Sequence, residues 1–181
     1  MKQLLYCAIL MLSLASCTKS STQATENSEI LRSGKWQIKE FTVKYTYNDK
    51  DSVYDIYRNM DTCRLDDYLT FGEAYHGAQF SEKKKCGGEL DEMPFDWKLM
   101  DNQKILVMNN AQYTIGAIAN KNVFLPGMEY VEAKIQKINK KSMTITYSNT
   151  LPKVYFPRTP LSDTGIFVSM TYYFTQTFEK M

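Results

Sequence analysis

Residues 166–178 read IFVSMTYYFTQTF. Every even position in this stretch is apolar except Gln176, and the odd positions are mostly Ser and Thr. A strand sends successive side chains to opposite faces. The row Ile166, Val168, Met170, Tyr172, Phe174 and Phe178 therefore belongs to a core, and the intervening row meets water. Aromatic and β-branched residues dominate the rest of the chain as well, and long helical periods are missing.

The same alternation recurs upstream. Met143–Tyr147 and Val131–Ile135 flank Asn139-Lys140-Lys141-Ser142; Phe95–Leu99 and Ile105–Met108 flank Asp101-Asn102-Gln103-Lys104. Polar turn residues between alternating runs predict two hairpins. Tyr68–Phe71 predicts a short strand, with a His76-Gly77 turn between Phe71 and Phe80. Lys35–Lys39 alternates and Phe41–Tyr47 alternates on the opposite parity, which one strand with a β-bulge near Glu40 explains. Tyr113 to Ala119 reads as a further strand interrupted by Gly116. Residues 149–164, NTLPKVYFPRTPLSDT, carry prolines at 152, 157 and 160. They predict a long loop, with a short edge strand at Val154 to Phe156. Eight to ten strands with frequent turns suit a barrel or a sandwich. Sequential hairpins favour an all-β, antiparallel up-and-down barrel, because each strand then pairs with its chain neighbour and the first meets the last. The pattern holds no internal repeat and no second domain.

The chain opens with Lys2 and then an apolar run, Leu4 to Leu14. Spanning a bilayer takes about 20 such residues, so this run is too short to cross one. A charged start, a short apolar stretch and the small residues Ala15 and Ser16 predict a secretory signal peptide over residues 1–16. Leu14-Ala15-Ser16-Cys17 resembles the lipobox of bacterial lipoproteins. That resemblance implies cleavage before Cys17, a diacylglyceryl thioether on its sulfur and a further acyl group on the new amino terminus. Each buried methylene adds about 0.8 kcal/mol, and stable anchoring takes more than one chain. The implied partner is a membrane, reached through the lipid, and the implied location is the bacterial cell envelope. Thr18 rather than Asp follows the cysteine, which by analogy with the enterobacterial sorting rule favours the outer membrane and leaves its two faces open. Residues 18–32, TKSSTQATENSEILR, have no apolar period before Ile30. Residues 17–32 are thus expected to form a lipidated flexible tether ahead of a domain at 33–181.

Lys2 is the only charge in residues 1–16, so of the 22 basic and 20 acidic residues, 21 and 20 remain after processing. Near neutrality argues against nucleic acid, which requires a basic stripe, and against a polybasic membrane patch. Of the four cysteines, Cys7 leaves with the signal and Cys17 takes the lipid. Cys63 and Cys86 remain, and in an oxidising compartment they read as one disulfide. The rival reading, a two-cysteine metal site, lacks partners: His76 is the one histidine and no Cys-x-x-Cys is present. No metal and no cofactor is expected.

Gly34-Lys35-Trp36 at the head of the first strand resembles the Gly-x-Trp start of lipocalins. Cys63-Arg64-Leu65-Asp66-Asp67-Tyr68-Leu69-Thr70-Phe71, then His76-Gly77, Cys86 and Trp97-Lys98-Leu99, resembles the lipocalin-like lipoproteins of the Bacteroidota. The resemblance covers roughly residues 33 to 147 and implies a small antiparallel barrel, in a family mostly of unknown function. The proline-rich segment and the strong final strand depart from it.

Enzyme chemistry finds little footing. Asp66 and Asp67 are adjacent, so on a strand their carboxylates point apart. His76 lies in a predicted turn with no nucleophile motif beside it. Gly87-Gly88 lacks the helix and the Lys-Ser/Thr of a phosphate loop. Lys83-Lys84-Lys85 reads as a solvated edge that discourages strand pairing. The 13 Tyr, nine Phe and two Trp are more informative. An eight-stranded barrel is just wide enough to be filled by side chains or to hold one small ligand. Trp36, Trp97, Tyr147, Tyr172 and Phe174 therefore form either a packed core or a cup for a small apolar ligand, with Gln176 and Thr114 as polar residues near a mouth. Tyr155, Phe156 and Arg158 in the proline-rich segment are residue types enriched at recognition sites, and read either as a partner loop or as a cover over a barrel end. Two non-enzymatic readings follow: binding of a small apolar ligand, or a protein-interaction module such as an envelope assembly partner or an enzyme inhibitor.

Overall fold

The parity change in the first strand is a bulge. β1 (Lys35–Tyr47) pairs with β11 (Gly165–Lys180) from Trp36↔Lys180 to Tyr45↔Tyr172, and the register slips between Ile38 and Glu40. The extra residue lets Trp36 and Ile38 before it, and Phe41 and Val43 after it, all reach the core. The computed structural model of the chain describes residues 19–47, 49–87, 90–110, 118–120, 123–125, 130–157 and 165–181.

The remaining elements are β2 (Lys50–Asp55), β3 (Tyr68–Phe71), β4 (His76–Phe80), β5 (Glu92–Met100), β6 (Ile105–Asn109), β7 (Ile118–Asn120), β8 (Val123–Leu125), β9 (Tyr130–Ile138) and β10 (Ser142–Pro157). Antiparallel pairing runs β1-β3-β4-β5-β6-β9-β10-β11 and returns to β1, which closes an eight-stranded barrel. β2 adds to the far half of β1, opposite the edge that takes β11. β7 and β8 make a separate hairpin, and Ile118 and Ala119 are the described part of the strand predicted from Tyr113. The all-β, up-and-down architecture is as the alternation requires.

The barrel has two unlike ends. At one, residues 72–75, 101–104 and 139–141 make tight turns. At the other, the longer segments 56–67 and 81–91 are stapled by a Cys63–Cys86 disulfide with Cα atoms 5.3 Å apart. Ile56 is buried there and its amide donates to the Phe41 carbonyl at 2.8 Å, so the chain leaving β2 folds back onto β1.

The tight-turn end carries a helix where a flexible tether was expected. α1 (Lys19–Arg32) ends with Ile30 and Leu31 buried in the core. The Trp36 indole Nε1 donates to the Leu31 carbonyl at 2.8 Å. Asn27 Nδ2 donates to the Gln103 carbonyl at 3.2 Å, and the Ser28 amide donates to Gln103 Oε1 at 3.1 Å. Gln103 is the last of three consecutive left-handed residues, with Asp101, Asn102 and Gln103 at φ 48°, 51° and 63°. Such backbone costs roughly 1 kcal/mol per residue, and here it aims Gln103 at the helix. Ile30 and Leu31 thus pack with the barrel, ahead of residue 33. Two apolar residues are too few for a helical period, yet they suffice to dock one turn.

Two further expectations are corrected. The described part of the proline-rich segment, 149–157, is strand rather than loop: β10 continues through the expected short strand at Val154–Phe156 to Pro157 and pairs with β11 through Val154↔Val168, Tyr155↔Phe167 and Pro157↔Gly165. The register shifts between Leu151 and Val154, so Pro152 falls in a bulge, where a missing ladder donor is tolerated. His76-Gly77 is not a turn but the start of β4; the turn is 72–75, with Ala74 and Tyr75 at φ 52° and 66°. Gly77 is buried under Phe95, and an added Cβ would stand 2.5 Å from Phe95 Cζ and 2.8 Å from the Thr70 carbonyl oxygen.

Candidate functional site

The five aromatic residues expected to line a cup are all buried, and they separate into three places. Trp36 sits at the helix end, fully buried. Trp97 belongs to a ring cluster on β3–β5: its ring meets Phe71 edge-on at 5.3 Å between centroids, and Phe71 meets Phe95 at 5.6 Å. Its indole Nε1 donates to the His76 carbonyl at 3.2 Å. Tyr147, Tyr172 and Phe174 come together on β10 and β11. Tyr147 stacks on Phe174 at 4.9 Å, Phe41 packs on Phe174 at 6.1 Å, and Tyr45 on Tyr172 at 5.7 Å. Burial pushes the Tyr147 phenol well above its usual range, and burial with the neighbouring Tyr45 raises Tyr172. These rings contact one another at normal aromatic separations, which is core packing. Gln176, expected near a mouth, is fully buried, opposite Phe41 and Ile145 in the strand register.

Tyr147 and Phe174 have a second aspect. They line a cleft of about 790 Å³ in the barrel wall, together with Asp101, Lys104, Ile105, Glu132, Lys134, Thr146, Ser148, Tyr173 and Thr175. The strand register explains the lining. Ile105, Lys134, Thr146 and Thr175 are paired in one row across β6, β9, β10 and β11, and Tyr147↔Phe174 and then Ser148↔Tyr173 follow along β10 and β11. Lys104 and Lys134 bring positive charge, Asp101 and Glu132 negative, and the hydroxyls of Thr146, Ser148 and Thr175 complete a balanced polar wall. Glu132 accepts a hydrogen bond from the Tyr130 hydroxyl, which raises that phenol's pKa. Tyr173 is 55% exposed. The sequence carried a signal for this cleft that alternation alone did not weigh: Tyr173 is an aromatic in the water-facing row of the last strand.

The other candidates are structural. Asp67 is buried and accepts from Gln79 Nε2 at 2.9 Å; Asp66 accepts from the Lys83 amide at 3.0 Å. The adjacent carboxylates thus hold β4 and the 81–91 segment in place beside the disulfide. Lys85 pairs with Asp91. His76 is exposed, with Nδ1 3.0 Å from Asp96 Oδ1, its register partner on β5. Among the described residues, no three His, Cys, Asp or Glu side chains are grouped to hold a metal ion. Cys17, Thr114 and Arg158 lie outside the described residues, and for Tyr155 and Phe156 the description is limited to their backbone pairing with Phe167 and Ile166.

The chain matches no protein-family model and no curated protein.

Proposed function

We propose that this is a lipid-anchored protein of the bacterial cell envelope, held at the outer membrane through Cys17, that acts by binding rather than by catalysis and uses the outside of a packed barrel to engage a protein partner. The observation that carries this reading is the mutual packing of Tyr147, Tyr172 and Phe174, three of the five rings nominated for a ligand cup, with Phe41 against Phe174. A packed interior leaves recognition to the surface, where Tyr173, Glu132 and Lys134 offer an aromatic and charges of both signs. A second reading, binding of a small apolar ligand, draws support from the cleft itself. Its volume is of the size small-molecule sites have, and Tyr147 and Phe174 contribute to its floor.

Photo-crosslinking in intact cells separates the two. A benzophenone amino acid at Tyr173 should trap one discrete protein adduct, and the Cys17→Ser variant should lose both that adduct and its place in the membrane fraction. A monomer that stays uncrosslinked at Tyr173 and co-purifies with a small molecule would favour the second reading. Retention of Cys17→Ser in washed membranes would sink the anchor.

A further inference from the structure

Summed over the chain the charges nearly balance, but at the tight-turn end the fold separates them. The hairpin of β9 and β10 carries Lys134, Lys137, Lys140 and Lys141, and no Asp or Glu lies between Ala133 and Asn149. All four lysines are exposed. Lys104 joins them: it is exposed too, and its carbonyl accepts from the Ile135 amide at 2.7 Å. Among the described residues none of these five is in an ion pair. Asp101, Glu132 and Glu179 border the group, and Glu179 stands opposite Ser142 in the register. The other acids of this end lie across the barrel, where Glu29 and Glu73 share a hollow with Arg32, Phe71 and Gly72. We infer that the lysine face lies on the anionic phospholipid headgroups of the membrane that holds the anchor. This rests on the anchor reading and adds the pose of the barrel.

Three features point to a lipid surface. The first is where the tether arrives. Trp36 on β1 holds Leu31, and one turn earlier Asn27 and Ser28 are bonded to Gln103, so α1 crosses the end of the barrel from the 101–104 turn to β1. The residues that lead back to Cys17 therefore come in past that turn, beside Lys104 and the β9–β10 hairpin. A chain fixed to lipid at Cys17 and docked in this way brings the lysine face to the headgroups. The second is that the hairpin tip is already ordered. Asn139 Oδ1 accepts from the amides of Lys141 and Ser142 at 2.8 and 3.0 Å, and the Lys180 amide donates to the Lys141 carbonyl at 2.9 Å. Contact then costs side-chain freedom and little backbone freedom. The third is the layout. Five cations spread over a turn and a hairpin share no pocket, which suits phosphates offered over an area. Their attractions add charge by charge and act within a Debye length, about 10 Å at 0.1 M salt. With acyl chains already holding the protein, what the patch sets is orientation. The disulfide-stapled segments 56–67 and 81–91 then point away from the bilayer.

The test uses the Cys17→Ser chain from residue 17 and two kinds of vesicle, phosphatidylcholine alone and phosphatidylcholine with about one third phosphatidylglycerol. In about 20 mM salt the chain should sediment with the second kind at least about tenfold more strongly than with the first, and about 0.5 M salt should release it. Lys137→Gln, Lys140→Gln and Lys141→Gln together should weaken that binding by at least about tenfold. Lys83→Gln, Lys84→Gln and Lys85→Gln together remove the same charge at the stapled end and should leave it unchanged. With gadolinium-bearing lipid in the vesicles, ¹⁵N spectra should lose the amides of 101–104 and 137–141 before those of 81–87. No binding to phosphatidylglycerol, binding that survives the hairpin substitutions, an equal loss from both triple variants, or broadening centred on 81–87 would overturn the inference. No lipid on the chain enters this assay, so its failure leaves the anchor standing. The anchor falls on a different result, retention of Cys17→Ser in membranes washed with about 0.5 M salt, which strips electrostatic binding.

Discussion

Trp36 and Leu31 are both fully buried, and the indole nitrogen of the first donates to the carbonyl of the second across 2.8 Å. The bond fastens the last turn of the helix to the first strand of the barrel, so the segment leading toward Cys17 is part of the fold up to this point. Helix end and barrel are expected to unfold together.

Replacing Leu31 with Ala should lower the unfolding free energy by about 2–5 kcal/mol, the cost of a buried leucine removed from a packed site. Urea titration followed by tryptophan fluorescence reads it, and the transition should remain single. A loss below about 1 kcal/mol would mean the helix end is not docked.

The disulfide closes a loop of sequence separation 23. In the chain-entropy view such a closure contributes about 3 kcal/mol. The paired substitution Cys63→Ser with Cys86→Ser should lower the unfolding free energy from guanidinium titration by that amount, with a correspondingly lower midpoint. Non-reducing peptide mapping of the parent should yield a Cys63–Cys86 peptide; two free thiols would remove the basis of the prediction.

Gly77→Ala should destabilise by about 1–3 kcal/mol, because the new methyl must displace the Phe95 ring and also meets the Thr70 backbone oxygen. Pairing it with Phe95→Leu should recover part of the loss, since one of the two clashes is then relieved. An unchanged melting temperature for Gly77→Ala would show that β3 and β4 separate freely at this point.

Tyr147 predicts an alkaline limit. Burial raises its phenol pKa in the folded state well above the usual value near 10, so the native protein keeps a proton that the unfolded chain releases. Stability from this group is complete below about pH 10 and falls as pH rises from the unfolded value toward the folded one. Tyr172 acts in the same direction. Urea midpoints measured from pH 8 to 11 should decline at the top of the range, and Tyr147→Phe should flatten the decline. An identical slope in the variant would remove Tyr147 as its source.

The strand pattern was legible because one face of each strand is core and the other is water. The switch of parity between Ile38 and Phe41 even located the bulge. What alternation could not show was anything set by a few residues acting at long range. Ile30 and Leu31 dock a helix without making a period. Pro152 looked like a strand breaker and instead occupies a bulge between two paired stretches. The buried Asp67–Gln79 hydrogen bond joins residues whose types predict exposure. The aromatic set was rightly placed inside the barrel, but sequence could not decide whether rings face a space or each other, because that depends on the stagger of the strands. The cleft escaped notice for the same reason: its lining comes from four strands and the 101–104 turn, and which residues of each meet is not written in any one of them.

Trp36 opposite Lys180 has a kinetic meaning. The shell is closed by its first and last staves, and no hairpin brings these two together. Most of the other staves can find a neighbour while the chain is still emerging, but closure must wait for the final segment, which makes folding slow for a domain of this size. Until then the free margins of β1 and β10 are open to other polypeptides. A chain ending before Tyr172 would lose every pair between β1 and β11 and would remain an unclosed sheet, prone to aggregate and a ready target for proteolysis.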